Sequence, residues 1–232
     1  MIEYQQHLDE YKSEYYLLYN TTFSEDKWGN EDLAKQYLDK YWLDKAEYEK
    51  FWVKIKNSIF IPQFQQLPQN LFSPEFELIP MIGGVLFGKD DFDALKLCLM
   101  KTGDKYFVVI QNNFRQENLN TFRMKYPTSI SWDELMSGNY ISTFLFEMFH
   151  NDYFVFGESG FWGKYVANDE SIPLDLFGTK NEFVSVFTKS FQNITKQYES
   201  LNNSVKTVEI INSLPESFKH IHKIHKVFDT NI

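Results

Sequence analysis

With one cysteine in 232 residues, Cys98, this chain has no partner for an intramolecular disulfide. A chain that needs no disulfide needs no oxidising compartment, so a cytoplasmic address is expected. Cys98 sits in the run KLCLM, where nothing local is electropositive, and it reads as a structural thiol rather than a nucleophile. Positive charge is scarce as well: 23 Lys and Arg stand against 32 Asp and Glu, a net charge of −9. Most of such a surface repels a polyanion, which argues against nucleic acid; it is compatible with a basic protein partner and equally with solubility alone. Long apolar runs are missing. The most hydrophobic stretch, residues 140–149, is about half the roughly 20 residues a spanning helix requires and contains Glu147, so no membrane span is expected. The opening residues, MIEYQQHLDEYKSEYY, show neither the basic start nor the apolar core of a secretory signal.

Aromatic residues are abundant. Phe 23, Tyr 14 and Trp 5 make up 18% of the chain, against an ordinary 43% hydrophobic and 24% charged content. Rings supply rigid, amphipathic contact area for recognition, and a coding bias towards Phe, Tyr, Lys, Asn and Ile is the alternative source of the excess. The length fits one large domain, with residues 1–70 as a helical portion and connector and 71–232 as a sheet-and-helix portion.

The first 60 residues carry twelve Asp and Glu against eight Lys. Asn30 is placed to cap a helix whose first turn holds Glu31 and Asp32, where the positive end of the helix dipole favours acids. From there Tyr37, Leu38, Tyr41, Trp42, Tyr48, Trp52, Ile55 and Ile59 recur near a period of 3.6, an apolar stripe suited to packing on a sheet. Pro62, Pro68, Pro74 and Pro80 then read as an irregular connector. The string GKDDFD lacks the spaced ligands of a calcium loop and reads as a strand-entry turn. Beyond it the alternation of LKLCLM, the turn Thr102–Asp104 and the β-rich KYFVVIQN predict a hairpin over 95–111.

Ser131 and Glu134 form a capping box for a short helix, and the nearly all-apolar YISTFLFEMF follows it. A second hairpin spans 153–167, with GESG as its turn and Gly157, Gly160 and Gly163 as points of positive φ or close backbone approach. An amphipathic helix over 182–198 carries Phe183, Val184, Phe187, Phe191, Ile194 and Tyr198. Ser213 and Glu216 open another, with Leu214, Phe218, Ile221, Ile224 and Phe228 on its apolar face.

Catalytic patterns are poorly matched. In that last helix His222, His225 and Asp229 share one side while His220 points away, a polar face rather than a zinc site, so no metal or cofactor is expected. Ser159 copies three positions of a nucleophile elbow, but a strand follows where a helix is required. His150 and Asp152, two apart in a turn, read as a hydrogen-bonded loop rather than a base and its orienter. The glycines at spacing three lack the strand, loop and helix order of a phosphate cradle.

What remains is a surface. Glu158, Phe161, Trp162, Tyr165, Asp169 and Glu170 combine aromatic anchors with carboxylates, the make-up of a docking patch for a basic partner. Along the strand, Phe161, Gly163 and Tyr165 share one face and Trp162, Lys164 and Val166 the other, so one ring set is exposed unless something covers it. FGESGFWGKYVAND, the apolar-proline break after it and the helix with EFVSVF resemble the closing segment of the SUKH superfamily, over residues 153–191. That family includes bacterial immunity proteins that neutralise toxins. The resemblance implies an α+β fold and a protein partner, with no catalytic residues. Trp162 between the glycines is a departure from its pattern.

The expected architecture is therefore α+β: an antiparallel sheet with helices packed on one face and a helical N-terminal portion. The expected function is non-catalytic protein binding, with toxin neutralisation implied by the resemblance. A small-molecule-binding or hydrolytic enzyme with an aromatic-lined pocket, His150 beside a buried carboxylate, remains open. So does a structural homo-oligomeric subunit.

Overall fold

Runs such as YFVVI and YFVF, β-branched and aromatic at successive positions, suit strands buried on both sides rather than a half-solvated ribbon. In the computed structural model, which describes residues 31–63, 71–82, 88–112, 123–141, 152–167 and 174–191, they lie at the centre of one six-stranded sheet. Its strands are β1 (Phe76–Ile82), β2 (Tyr106–Asn112), β3 (Arg123–Pro127), β4 (Asp152–Gly157), β5 (Trp162–Val166) and β6 (Leu174–Lys180). All pair antiparallel, in the order β1-β6-β5-β4-β2-β3. The α+β class, the antiparallel sheet and the 153–167 hairpin are as the sequence reads.

Every position of β4 and β5 is buried. Tyr153, Val155, Trp162, Val166, Phe107 and Val109 face one cluster, completed by α1 (Glu31–Tyr41), α3 (Lys89–Thr102), α4 (Trp132–Ile141) and α5 (Val184–Ser190). Phe154, Phe156, Tyr165, Val108 and Ile110 face the other. There the cover is α2, a continuous run of Lys45–Glu47, a wider π-turn Tyr48–Trp52 and Val53–Ile59, together with the bridged Phe60 and Phe72. Helices on one face become helices on both, because ring-bearing strands leave neither side fit for water. Among the described residues no helix is long and apolar enough to cross a membrane.

Four local expectations need correction. LKLCLM is not a strand: it lies within α3, which buries Phe92, Leu95, Cys98 and Leu99 at helical spacing and leaves Leu97 and Met100 exposed at 60% and 79%. Asp90 and Asp91 are its first turn, not a strand entry, and Gly103 ends it at φ 75 in the left-handed region. The connector holds β1, an edge strand that pairs only with β6, the setting in which a proline such as Pro80 is tolerated. The stripe over 31–59 belongs to two helices, not one. Leu43 breaks it by donating its N–H to Arg123 O at 3.0 Å and accepting from Arg123 Nε, and Asp44 recaps the chain through the N–H groups of Ala46 and Glu47. Asn30, most of YISTFLFEMF, residues 192–198 of the expected helix and the 213–228 helix lie outside the described residues.

Packing between the layers is close enough to require hydrogen at particular backbone positions. A Cβ on Gly178 of β6 would stand 2.4 Å from two atoms of the Phe72 ring, in a part of the core where Phe60 and Phe72 rings lie 4.8 Å apart. Gly178→Ala is expected to destabilise the protein by about 2 kcal/mol through overpacking, read from the urea midpoint at unchanged slope. A loss under ~0.5 kcal/mol means the ring yields freely and the layer is not close-packed.

Candidate functional site

The turn between β4 and β5 is held from beneath by one carboxylate. Asp104, in the loop that Gly103 directs out of α3, is buried and accepts from Ser159 N at 2.6 Å, Ser159 Oγ at 3.1 Å, Trp162 Nε1 at 2.9 Å and the Thr102 hydroxyl. Four donors on one side chain bind turn, strand and helix end together. Glu158 adds a reciprocal clasp: its carboxylate takes the Lys105 N–H at 2.6 Å and its own N–H reaches Tyr106 O at 3.2 Å. Gly157 leaves the room this needs, since a Cβ there would lie 2.6 Å from Asp104 Oδ1, and Gly160 supplies the positive φ of 69.

The rings assigned to a docking patch divide unevenly. Trp162 is wholly buried, stacked on Phe177 with centroids 5.7 Å apart, and Tyr165 is wholly buried against Phe154 at 5.2 Å. Neither displays its ring outward, because both sheet faces are covered. Phe161 is half-buried, stacked on Phe183 at 5.0 Å, with Lys180 Nζ 5.4 Å from its centroid. Asp169 and Glu170 lie outside the described residues. Sequence reasoning missed two exposed rings, Phe51 at 49% and Tyr106 at 40%. They are linked by a short polar chain: Lys125 Nζ lies 5.2 Å from the Tyr106 ring and 2.7 Å from Glu47, whose carboxylate also accepts from Trp52 Nε1 beside Phe51. That chain holds the Glu47 carboxyl below its usual range, although partial burial works against it. Gly160 lies against Ile55 and Ser58 of α2, which brings the β4–β5 turn to the same side of the molecule.

The opposite end of the sheet is polar within. The Tyr165 hydroxyl donates to Asp152 and lies 3.5 Å from Asn112 Nδ2, and burial, then the Asp152 charge, pushes its ionisation far up. On the other face Lys164 Nζ sits 3.0 Å from Asp175 Oδ2, both side chains at 0% exposure, and Asp175 Oδ1 accepts the Ala167 N–H at 3.0 Å. Asp91 at the start of α3 is raised by burial against the opposing pull of Lys164. These groups meet one another's needs, which makes the end a set of structural pairs. Ser159 serves as a fastener on Asp104, and Cys98 is buried, its thiol pushed up to about 11 by that burial. The Ser131 cap forms through the Glu134 N–H at 3.0 Å, and the Glu134 carboxylate bonds Lys40 and Tyr41.

All five histidines, including His150, His220, His222 and His225, lie outside the described residues. Among the described residues no group of His, Cys, Asp and Glu is gathered as a metal site. Comparison with known protein families, curated proteins and solved structures finds no match.

The Asp104 hub generates a direct test. Asp104→Ala strands the Ser159 and Trp162 donors and is expected to cost about 3 kcal/mol of stability in urea unfolding, with Asp104→Asn losing less because its amide oxygen still accepts. Equal stability of Asp104→Ala and the parent would dissolve the hub.

Proposed function

We propose that this chain is a non-catalytic protein-binding domain that works in the cytoplasm. The observation that carries the reading is the pairing of exposed Phe51 and Tyr106 on a rigid frame at the pinned-turn end of the sheet, with half-buried Phe161 and the carboxylate Glu158 on the turn itself. Exposed rings on an ordered backbone supply contact area without an ordering cost, which is what an anchor for a partner requires. The net charge of −9 favours a basic partner through encounter steering. The resemblance of residues 153–191 to the SUKH superfamily supports the narrower reading of an immunity protein that occupies a toxin's cleft. The internal pairing of Asp104, Asp152, Lys164 and Asp175 is consistent with a binding rather than a bond-making role.

The test uses the full chain titrated calorimetrically against a candidate basic toxin domain. Phe51→Ala with Tyr106→Ala is expected to weaken binding at least about tenfold, with an unchanged melting temperature, and raised salt is expected to slow association. Binding that ignores both rings overturns the reading.

A further inference from the structure

Helix α3 has two unlike sides. The inner one buries Phe92, Leu95 and Leu99 and packs on α5, where the Cys98 thiol lies 4.0 Å from Val186 O. On the outer one Leu97 and Met100, three residues apart and so neighbours on one face, are each more exposed than Phe51 or Tyr106. A hydrophobic pair this open on a regular helix is a contact surface without its cover.

The charges around the pair are sorted along the helix. Asp93 stands one turn before Leu97 and Lys101 one turn after it, and all three are exposed, so they form a single i, i+4, i+8 ridge of acid, hydrocarbon and base. Asp93 holds Lys89 at 2.7 Å in an exposed pair of the kind that water and competing charges readily loosen, and Lys101 makes no ion pair with another described residue.

A ridge in that order is its own complement. A two-fold axis through Leu97 lays α3 antiparallel on a second copy of itself, with Leu97 on its equivalent, Asp93 against the partner's Lys101 and Lys101 against the partner's Asp93. A parallel pairing would set acid on acid and base on base. We propose that α3 is a homodimer contact, an isologous antiparallel helix pair centred on Leu97, sealed by Met100 and registered by two Asp93–Lys101 pairs. One helix per copy buries an area at the low end for a specific interface, so a dissociation constant of about 10–100 μM is expected. The helix covers the sheet face opposite α2, so the pairing leaves Phe51 clear.

The full chain is followed by sedimentation velocity from about 5 to 500 μM, where a monomer–dimer equilibrium is expected. Leu97→Glu and, at the more exposed position, Met100→Lys are each expected to leave the chain monomeric throughout, with the melting temperature at the lowest concentration unchanged. Asp93→Lys and Lys101→Asp are each expected to weaken the dimer at least about tenfold, because two attractive pairs become two repulsive ones. An equimolar mixture of these two variants is expected to dimerise again, since each supplies the charge the other now faces. A parent chain that stays monomeric at the highest concentration overturns the proposal, and so does a dimer that tolerates Leu97→Glu or Met100→Lys. A mixture that associates no more tightly than either charge variant alone overturns it as well.

Discussion

A strand covered on both faces has no position at which a polar side chain can stay in water, and that constraint organises this protein. In β4 and β5 every residue is buried, so each position is apolar, is glycine where another layer presses on the backbone, or carries a charge that meets its counterpart inside. Lys164 is the extreme case. An isolated buried ammonium would cost several kcal/mol, and the Asp175 carboxylate on the neighbouring strand offsets enough of this for the pair to persist at zero exposure. Asp152 with Tyr165, and Asp104 with its four donors, obey the same rule on other parts of the sheet.

Much of the framework was legible because local chemistry and tertiary environment agree. The 153–167 hairpin has its turn glycines and flanking β-formers, and Ser131 caps the helix it announces. Legibility failed where two periods overlap. Leu95, Leu97 and Leu99 alternate like a strand, yet Phe92, Leu95, Cys98 and Leu99 lie on one helical face, and the helix wins by burying that face while leaving Leu97 out. Pro80 read as a breaker because sequence alone does not say which strand will be an edge. The site was legible only in outline. The alternation in β5 correctly separated Trp162 from Tyr165, but whether α2 would cover the second face is a tertiary fact. Asp104 stands 58 residues from the indole it holds, and no local pattern announces such a pairing.

The two ends of the sheet differ in how their polar groups are used. At the turn end, side chains fasten backbone: Asp104 takes the Ser159 N–H and Glu158 takes the Lys105 N–H, so the exposed rings nearby sit on an ordered frame. At the other end, side chains bind mainly one another across strands. Lys56, whose ammonium has a ring in place of a carboxylate, stands apart from both patterns.

The rims of the sheet carry a last implication. The outer side of β3 is met by the link between α1 and α2, where Trp42 bridges Met124 and Leu43 exchanges bonds with Arg123; the outer strand at the other rim, β1, has Pro80 in its middle. Among the described residues one margin is thus met at Arg123 and Met124 and the row of donors along the other is interrupted at Pro80, so each is a less open template for an added strand. Among the described residues the strand margins are thus poor places for the chain to stack on its own copies.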